Sequence, residues 1–366
     1  MATKTRAHIA RAKIEETAEE ALAFIVDESC DSHFLDFKKG FKTEVDKCLG
    51  ENWKPASLHK LFENTGVQVD ESMRRNIRNW VNGKVPDRER AVQICFALRL
   101  DYDEANDFLC RVCGQSQLNV KEPFEAICYY CLHFKKSYET AVKLKSDYNK
   151  YVSANVVGDD TSAIIKWMLS VENNDEKFIR QLIVRVPPSN SWSERVIKAT
   201  TALLNGLKLK VSKKLGKEPN KLSYEELANW LLWGVEFSKS NEGVLIIDER
   251  DASFKKSSLS RYKTITQNFL TRKKISEIEN KKTVPSREQF ILLFFFDGCF
   301  SKLRSETKDE HFFKNFYSEL DNKLDKYGMN PLYSRSAFDW IILKSVAAID
   351  PITYWQEIIG YSLPDD

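Results

Sequence analysis

Apolar residues recur along this chain at intervals of three and four, which is the period of an amphipathic α-helix. Residues that interrupt helices are scarce, because the 366 residues contain only 13 glycines and 10 prolines. One apolar pattern covers residues 10–28, the next covers residues 34–49, and several shorter patterns follow between residues 55 and 114. Short helices with short joints are typical of a compact bundle. The sequence therefore predicts an all-α fold, a multi-helix bundle.

The helix predicted from Ser72 to Val81 has two faces of different chemistry. Met73, Ile77, Trp80 and Val81 share its apolar face. The opposite side is basic and polar, and it offers the residue types that recognise bases, since arginine pairs with guanine and asparagine with adenine through two hydrogen bonds each. The predicted base-reading residues are Arg74, Arg75, Arg78 and Asn79. A solvated charged face on an ordinary amphipathic helix is the alternative.

The residues at the end of this helix resemble a known family. A tryptophan is followed by Asn-Gly-Lys at 82–84, then by a proline, and then by a helix that ends in Ala-Leu-Arg-Leu at 97–100. Residues 77–109 are similar to the second half of the phage-repressor-like, XRE-type helix-turn-helix domain of bacteria and phages. The resemblance implies that the helix before the Asn-Gly-Lys turn enters the major groove of DNA.

The resemblance also assigns the residues beyond this helix. Lys84 lies in the turn and Arg88 lies at the start of the next helix, and both are expected to hold phosphate. The spacing departs from that of the family, because Gly66, the expected turn glycine, precedes Trp80 by fourteen residues. This distance predicts either an insertion in the turn, at residues 67–71, or a longer helix.

The chain contains an internal repeat of this region. The block Val-Pro-Asp-Arg-Glu at 85–89 recurs as Val-Pro-Ser-Arg-Glu at 284–288. Residues 114–131 pair without a gap with residues 328–345, where a glycine, a leucine, a basic residue, a phenylalanine, an acidic residue and an isoleucine coincide. Two matches in the same order predict a duplicated unit. The second copy has no glycine after Asn280, so its turn is expected to differ from the first.

These observations divide the chain into four segments, of which the last is a degenerate second copy. The segments are N-terminal helices at 1–54, the helix-turn-helix unit with trailing helices at 55–150, a helical middle domain at 151–256 and the second copy at 257–366. The second copy is rich in basic residues where its own helix-turn-helix would lie. The residues expected to hold phosphate there are Arg272, Lys273, Lys274, Lys281 and Lys282.

Two Cys-x-x-Cys pairs raise the question of a zinc site. Cys110 with Cys113 and Cys128 with Cys131 have a spacing that four-cysteine zinc sites share. The repeat speaks against zinc, because an isoleucine, Ile342, stands opposite Cys128 in the second copy. A position that accepts isoleucine is a packing position, and a buried free cysteine behaves as a small hydrophobic residue. We expect no metal ion and no other cofactor.

Composition and charge restrict the class of protein without indicating a partner. The 56 basic and 53 acidic residues give a net charge of +3, so any nucleic-acid surface must be local. The chain starts without an apolar signal segment and has no apolar run long enough to span a bilayer, which favours a soluble cytoplasmic protein. Catalytic motifs are missing, and the acidic group at 248–251 fits a nuclease poorly. We therefore do not expect the protein to be an enzyme.

The sequence favours a non-enzymatic, sequence-selective DNA-binding protein of bacterial or phage type, and most simply a transcriptional regulator. The alternative is an interaction scaffold or effector of a host-defence or mobile-element system, in which the helix-turn-helix contacts a protein or another nucleic acid. DNA is the expected partner, a protein partner or self-association stays open, and no membrane is expected.

Overall fold

The described part of the chain is helical throughout. The computed structural model describes residues 20, 37–152, 158–159, 161–188, 193–233, 270–300, 310–333 and 336–360. Every regular element in these ranges is a helix and none is a strand, which confirms the predicted all-α fold. Nearly all of the apolar pattern at 10–28 and the acidic group at 248–251 lie outside the described residues. No described helix has both the length and the apolar character that crossing a membrane requires.

The chain divides into two compact units. The N-terminal unit contains Glu28–Ser191 together with Gly328–Pro331, and the C-terminal unit contains Trp192–Tyr327 and Leu332–Asp366 together with Met1–Asp27. This division differs from the four segments expected from the sequence, because the segment at 151–256 is shared between the two units. The helix Asp175–Arg185 packs on the helix Tyr138–Tyr151 of the N-terminal unit, whereas the helix Ser193–Leu215 packs on the helix Arg287–Phe300 of the C-terminal unit.

The N-terminal unit has nine helices among its described residues. They are α1 (Phe37–Leu49), α2 (Pro55–Glu63), α3 (Glu71–Val81), α4 (Arg88–Ala97), α5 (Tyr102–Asp107), α6 (Pro123–His133), α7 (Tyr138–Tyr151), α8 (Thr161–Ser170) and α9 (Asp175–Arg185). The α5 helix continues as a π-helical turn over Phe108–Val112. Side-chain caps begin several of these helices, and α5 has a full capping box between Asp101 and Glu104.

Aromatic side chains fill the core of the N-terminal unit. Phe62 of α2 packs on Trp80 of α3 with ring centroids 5.8 Å apart. Tyr130 of α6 stacks on Phe178 of α9 at 3.8 Å. All four rings are at least 97% buried, and each removes a large apolar area from water. These contacts hold α3 against α2 from inside and leave its other side to solvent.

The joint between α2 and α3 contains Gly66, from which the spacing to Trp80 is counted. The α2 helix ends at Glu63 and α3 begins at Glu71, so seven residues, 64–70, connect them. Gly66 lies in this joint with a φ of +79°, a conformation that favours glycine. The α3 helix has 11 residues. The fourteen positions from Gly66 to Trp80 therefore comprise the end of this joint and nearly the whole of α3.

The C-terminal unit has seven helices among its described residues. They are α10 (Ser193–Leu215), α11 (Tyr224–Trp233), α12 (Arg272–Glu279), α13 (Arg287–Phe300), α14 (Glu310–Lys326), α15 (Ala337–Ala347) and α16 (Pro351–Gly360). The long α10 helix packs along α13, and α15 packs against both α13 and α16. The core of this unit is again aromatic, with Phe290, Phe295, Trp340 and Trp355 almost fully buried.

The turn that follows α12 has the same backbone hydrogen bonds as the turn that follows α3. After α3, Gly83 N donates to Trp80 O at 2.9 Å and Lys84 N donates to Asn79 O at 2.9 Å. After α12, Lys281 N donates to Ile278 O at 3.1 Å and Lys282 N donates to Glu277 O at 2.9 Å. The expectation of an altered turn was therefore wrong. A lysine takes the left-handed conformation here, with a φ of +53° at Lys281.

Each unit also contains a largely buried arginine that donates two hydrogen bonds to a carboxylate. In the N-terminal unit Arg88 donates to both carboxylate oxygens of Glu125, at 2.8 and 2.7 Å. In the C-terminal unit Arg287 donates to both oxygens of Asp339, at 2.8 and 2.6 Å. The two arginines open α4 and α13, and the two acids lie in the first turns of α6 and α15.

Candidate nucleic-acid interface

The inward side of α3 is fixed by a stripe of three apolar residues. Met73, Ile77 and Trp80 are each at least 97% buried, at the three- and four-residue spacing of one helix face. Asp70 caps the helix, because its Oδ1 accepts a hydrogen bond of 2.7 Å from the backbone N–H of Met73. The helix therefore has one defined rotation about its axis, and this rotation decides which side chains face solvent.

The outward side of α3 displays the predicted base-reading residues. Arg74, Arg75 and Arg78 are exposed, and Asn79 is half-buried. No described residue forms an ion pair with Arg74 or Arg75. Because Arg78 lies three residues after Arg75 and four after Arg74, the three guanidinium groups originate from one side of the helix. The structure thus brings these three residues together on one exposed surface.

Arg78 has an acidic neighbour at the start of its own helix. Its Nη2 lies 3.2 Å from Glu71 Oε1, with 60% of the arginine side chain and 79% of the glutamate side chain exposed. Exposed pairs of this kind contribute at most about 1 kcal/mol, because water and salt screen them. The pair therefore orients the Arg78 side chain along the surface without committing it to this partner.

A basic edge lies at the end of α3, where the chain turns. Gly83 has a φ of +96°, which favours glycine. A Cβ atom at this position would lie 3.3 Å from the Cβ of Lys38, so the start of α1 passes close to the turn. Lys38 and Lys84 are both exposed here. The sequence did not single out Lys38, since its closeness to Lys84 depends on how α1 packs against α3.

Arg88 lies inside the N-terminal unit. Besides Glu125, its guanidinium donates to the backbone carbonyls of Ser116 and, at 2.9 Å, of Gln117. Burial lowers the pKa of this guanidinium, but the carboxylate of Glu125 more than offsets that effect and keeps the pKa above its ordinary value. All three guanidinium nitrogens of Arg88 donate hydrogen bonds within the unit. The expectation that Arg88 holds phosphate is therefore corrected, because its donors are already occupied.

The basic residues of the C-terminal unit lie at both ends of α12. Arg272 and Lys273 are exposed at its start, and Lys281 and Lys282 are exposed in the turn after it. Arg272 lies 3.5 Å from Glu225, while Lys273 and Lys274 lie 3.8 and 3.5 Å from Glu277. No described residue forms an ion pair with Lys281 or Lys282. Among these basic residues, the charge of Lys281 and Lys282 is therefore the least offset by carboxylates of the described residues.

The four cysteines considered for zinc are packed in the core of the N-terminal unit. Cys110, Cys113, Cys128 and Cys131 are each at least 98% buried. Burial raises the pKa of the Cys131 thiol to about 12 and raises those of Cys113 and Cys128 well above their ordinary value. Across the described ranges, no group of three or more potential ligands could hold a metal ion.

Comparisons with known proteins give no match. No protein-family model matches the chain, and neither a curated protein nor a solved structure matches it. The site is therefore interpreted from its own geometry. It is a helix with one apolar side and three exposed arginines on the other, and two exposed lysines lie beside its end. Such a surface can donate hydrogen bonds to acceptors and attract anions, and both properties suit a nucleic acid.

Proposed function

We propose that the protein is a non-enzymatic, sequence-selective DNA-binding protein that inserts α3 into the major groove, and that it acts as a transcriptional regulator. One observation carries this proposal: α3 exposes Arg74, Arg75 and Arg78 on one side while Met73, Ile77 and Trp80 fix its other side in the core. The major groove admits an α-helix, and a helix with one defined rotation presents the same side chains to every site.

The residues divide into two roles under this proposal. Arg75 and Arg78 lie on the exposed side of the helix, from which their guanidinium groups reach the O6 and N7 acceptors of guanine. Lys84 and Lys38 lie at the end of the helix, where the adjoining phosphates of a duplex would run. The first pair carries sequence preference, and the second pair carries affinity that is independent of sequence.

Release of Arg78 from Glu71 does not oppose DNA binding. The pair is largely exposed, so breaking it costs at most about 1 kcal/mol, and a bidentate contact with guanine is worth about 1–3 kcal/mol of discrimination. The balance favours transfer of the guanidinium from the glutamate to a base.

A binding experiment with Arg78→Ala tests the proposal. A duplex is first selected from a random pool by repeated binding to the full-length chain, and a scrambled version serves as the reference. The substitution should weaken binding to the selected duplex about 10- to 100-fold and weaken binding to the scrambled duplex much less. Arg180→Ala is the matched control, because Arg180 is another exposed arginine of the N-terminal unit in an exposed pair, with Glu176.

Two outcomes would contradict the proposal. Equal losses on the selected and scrambled duplexes would show that Arg78 meets only the backbone. A random pool from which no sequence is enriched would exclude sequence-selective binding altogether. The second outcome would favour the scaffold or effector alternative, in which the arginine side of α3 contacts a protein, since such a surface has no reason to prefer one duplex over another.

A further inference from the structure

We propose that the C-terminal unit is a second helix-turn-helix unit that binds the DNA backbone without reading bases. The N-terminal unit then reads the bases of the target, and the C-terminal unit, called the holding unit below, binds only its phosphates. This inference rests on the proposed function of α3. It concerns α12, the turn that follows it, and the lysines Lys281 and Lys282.

Three features of the two units coincide and support a common build. The turns after α3 and α12 have equivalent backbone hydrogen bonds. The helices that follow are capped in the same way, because Arg90 N donates to Asp87 and Gln289 N donates to Ser286. The carboxylates that Arg88 and Arg287 bind each accept a further hydrogen bond from a backbone N–H six residues earlier. Asn119 N donates to Glu125 at 2.6 Å, and Tyr333 N donates to Asp339 at 2.7 Å.

The side chains on α12 differ from those on α3 in a way that removes base reading. The shared turn aligns Ile275 and Ile278, both buried, with Ile77 and Trp80. In the same alignment Ser276 stands where α3 has Arg78, and Glu277 stands where α3 has Asn79. Lys273 and Lys274 lie 3.8 and 3.5 Å from one shared carboxylate, that of Glu277. Although Arg272 stands where α3 has Arg74, α12 has no arginine or asparagine at the positions of Arg78 and Asn79, where α3 presents donors to bases.

The turn after α12 keeps a lysine at a position that favours glycine. Lys281 has a φ of +53°, a left-handed conformation that side chains other than glycine adopt at a cost in stability. The N-terminal unit has Gly83 at the equivalent place. The side chain of Lys281 is therefore a feature in which the two turns differ, and it adds a cation to the second turn. Lys281 and Lys282 are adjacent and exposed, and no described residue forms an ion pair with either of them.

Two adjacent, exposed lysines are suited to the phosphates of a nucleic-acid backbone. A lysine ammonium is a point charge with three donors, so it binds phosphate without the geometry that base recognition requires. Each phosphate neutralised in this way releases counterions, and the release makes binding depend steeply on salt. The holding unit should therefore add affinity equally on every duplex, and it should add to the salt dependence.

The test compares the variant Lys281→Gly/Lys282→Gln with a control of equal charge change, Lys213→Gln/Lys326→Gln, which alters two exposed lysines on α10 and α14. Binding of the full-length chain to the selected and scrambled duplexes is measured over a range of salt concentrations. The slope of log K against log salt should fall in magnitude by about 1.8 for the turn variant on both duplexes, and should stay near that of the wild type for the control.

The variant is designed to fold, because glycine relieves the left-handed conformation at residue 281. Should its unfolding midpoint nevertheless fall, Lys282→Gln alone replaces it and should change the slope by about 0.9. A turn variant with the slope of the control would overturn the holding role. If that result occurs while Arg78→Ala still loses its preference for the selected duplex, only the second unit's role fails; if the wild type binds no duplex, both proposals fail.

Discussion

Arg88 and Glu125, 37 positions apart in the chain, meet in a two-pronged ion pair in which Nε lies 2.8 Å from Oε1 and Nη2 lies 2.7 Å from Oε2. Only 30% of the arginine side chain and 17% of the glutamate side chain are exposed. The pair joins the start of α4 to the first turn of α6, and Arg88 also binds two carbonyls of the loop between them. It thereby fixes the helix that follows the α3 turn.

Removal of one partner should destabilise the N-terminal unit strongly. Arg88→Ala leaves the Glu125 carboxylate and two backbone carbonyls without their donor, and such a loss costs about 2–4 kcal/mol. The free energy of unfolding from urea titrations measures the change. Arg180→Ala, in a pair that is about three-quarters exposed on both sides, should cost less than about 1 kcal/mol. Equal effects of the two substitutions would refute a structural role for Arg88.

The sequence was sufficient for the features that depend on local pattern. The apolar spacing of Met73, Ile77 and Trp80 defined the inward side of α3, and the arginines on its other side are exposed as that spacing requires. The helical class followed in the same way. These properties are set by neighbours within two helical turns, so the order of residues already contains them.

The role of Arg88 could not be obtained from local pattern. An arginine at the start of a helix after a basic turn looks the same whether it meets a phosphate or a carboxylate, and Glu125 is distant in sequence. The signal that was available is the pair of similar sequence blocks, because Arg287 and Asp339 stand in residues 284–288 and 328–345 where Arg88 and Glu125 stand in residues 85–89 and 114–131. Lys38 was missed for the same reason, since only packing brings α1 to the Gly83 turn.

Gly83 should tolerate no side chain. Its φ of +96° and the nearby Cβ of Lys38, 3.3 Å from an added Cβ, mean that Gly83→Ala combines backbone strain with a close contact. We expect a loss of about 1–3 kcal/mol in the free energy of unfolding. Lys281→Gly is the reciprocal change in the equivalent turn, and it should leave stability unchanged or raise it. A Gly83→Ala protein as stable as the wild type would show that the turn adopts another conformation.

The buried cysteines should make the protein sensitive to alkaline pH. Burial raises the pKa of the Cys95 and Cys131 thiols to about 12, whereas an unfolded cysteine has a pKa of about 8.5. Between these values the unfolded chain has lost the proton that the folded protein retains, so stability falls as the pH rises. Each such thiol contributes a loss of about 1.4 kcal/mol per pH unit.

The slope of stability against pH, rather than stability itself, measures this effect. Urea titrations at pH 9 and pH 10 under reducing conditions should show a smaller fall for Cys131→Ala than for the wild type, by about 1.2 kcal/mol. The substitution also removes packing, but that cost is the same at both pH values and cancels from the slope. Equal slopes for the two proteins would mean that Cys131 is ionised as readily in the folded as in the unfolded state.

The lysines at the end of α3 should behave differently from Arg78 in DNA binding. Lys84 and Lys38 are exposed beside the Gly83 turn, where the proposed orientation of α3 places phosphates and no base edges. Lys84→Ala should therefore weaken binding to selected and scrambled duplexes by the same factor, and the salt slope should fall in magnitude by about 0.9, with a similar effect for Lys38→Ala. Fluorescence anisotropy titrations at several salt concentrations supply both quantities.

Lys143→Ala provides the comparison for these two lysines, because Lys143 is exposed on α7 and lies in the same unit. Its removal changes the net charge equally and should leave the salt slope unchanged. A common small loss of affinity for all three variants would indicate a general effect of charge, and α3 would then lack a phosphate-binding edge. A loss for Lys84→Ala that is confined to the selected duplex would instead assign this lysine to a base, which would require the helix to lie deeper or at another angle in the groove.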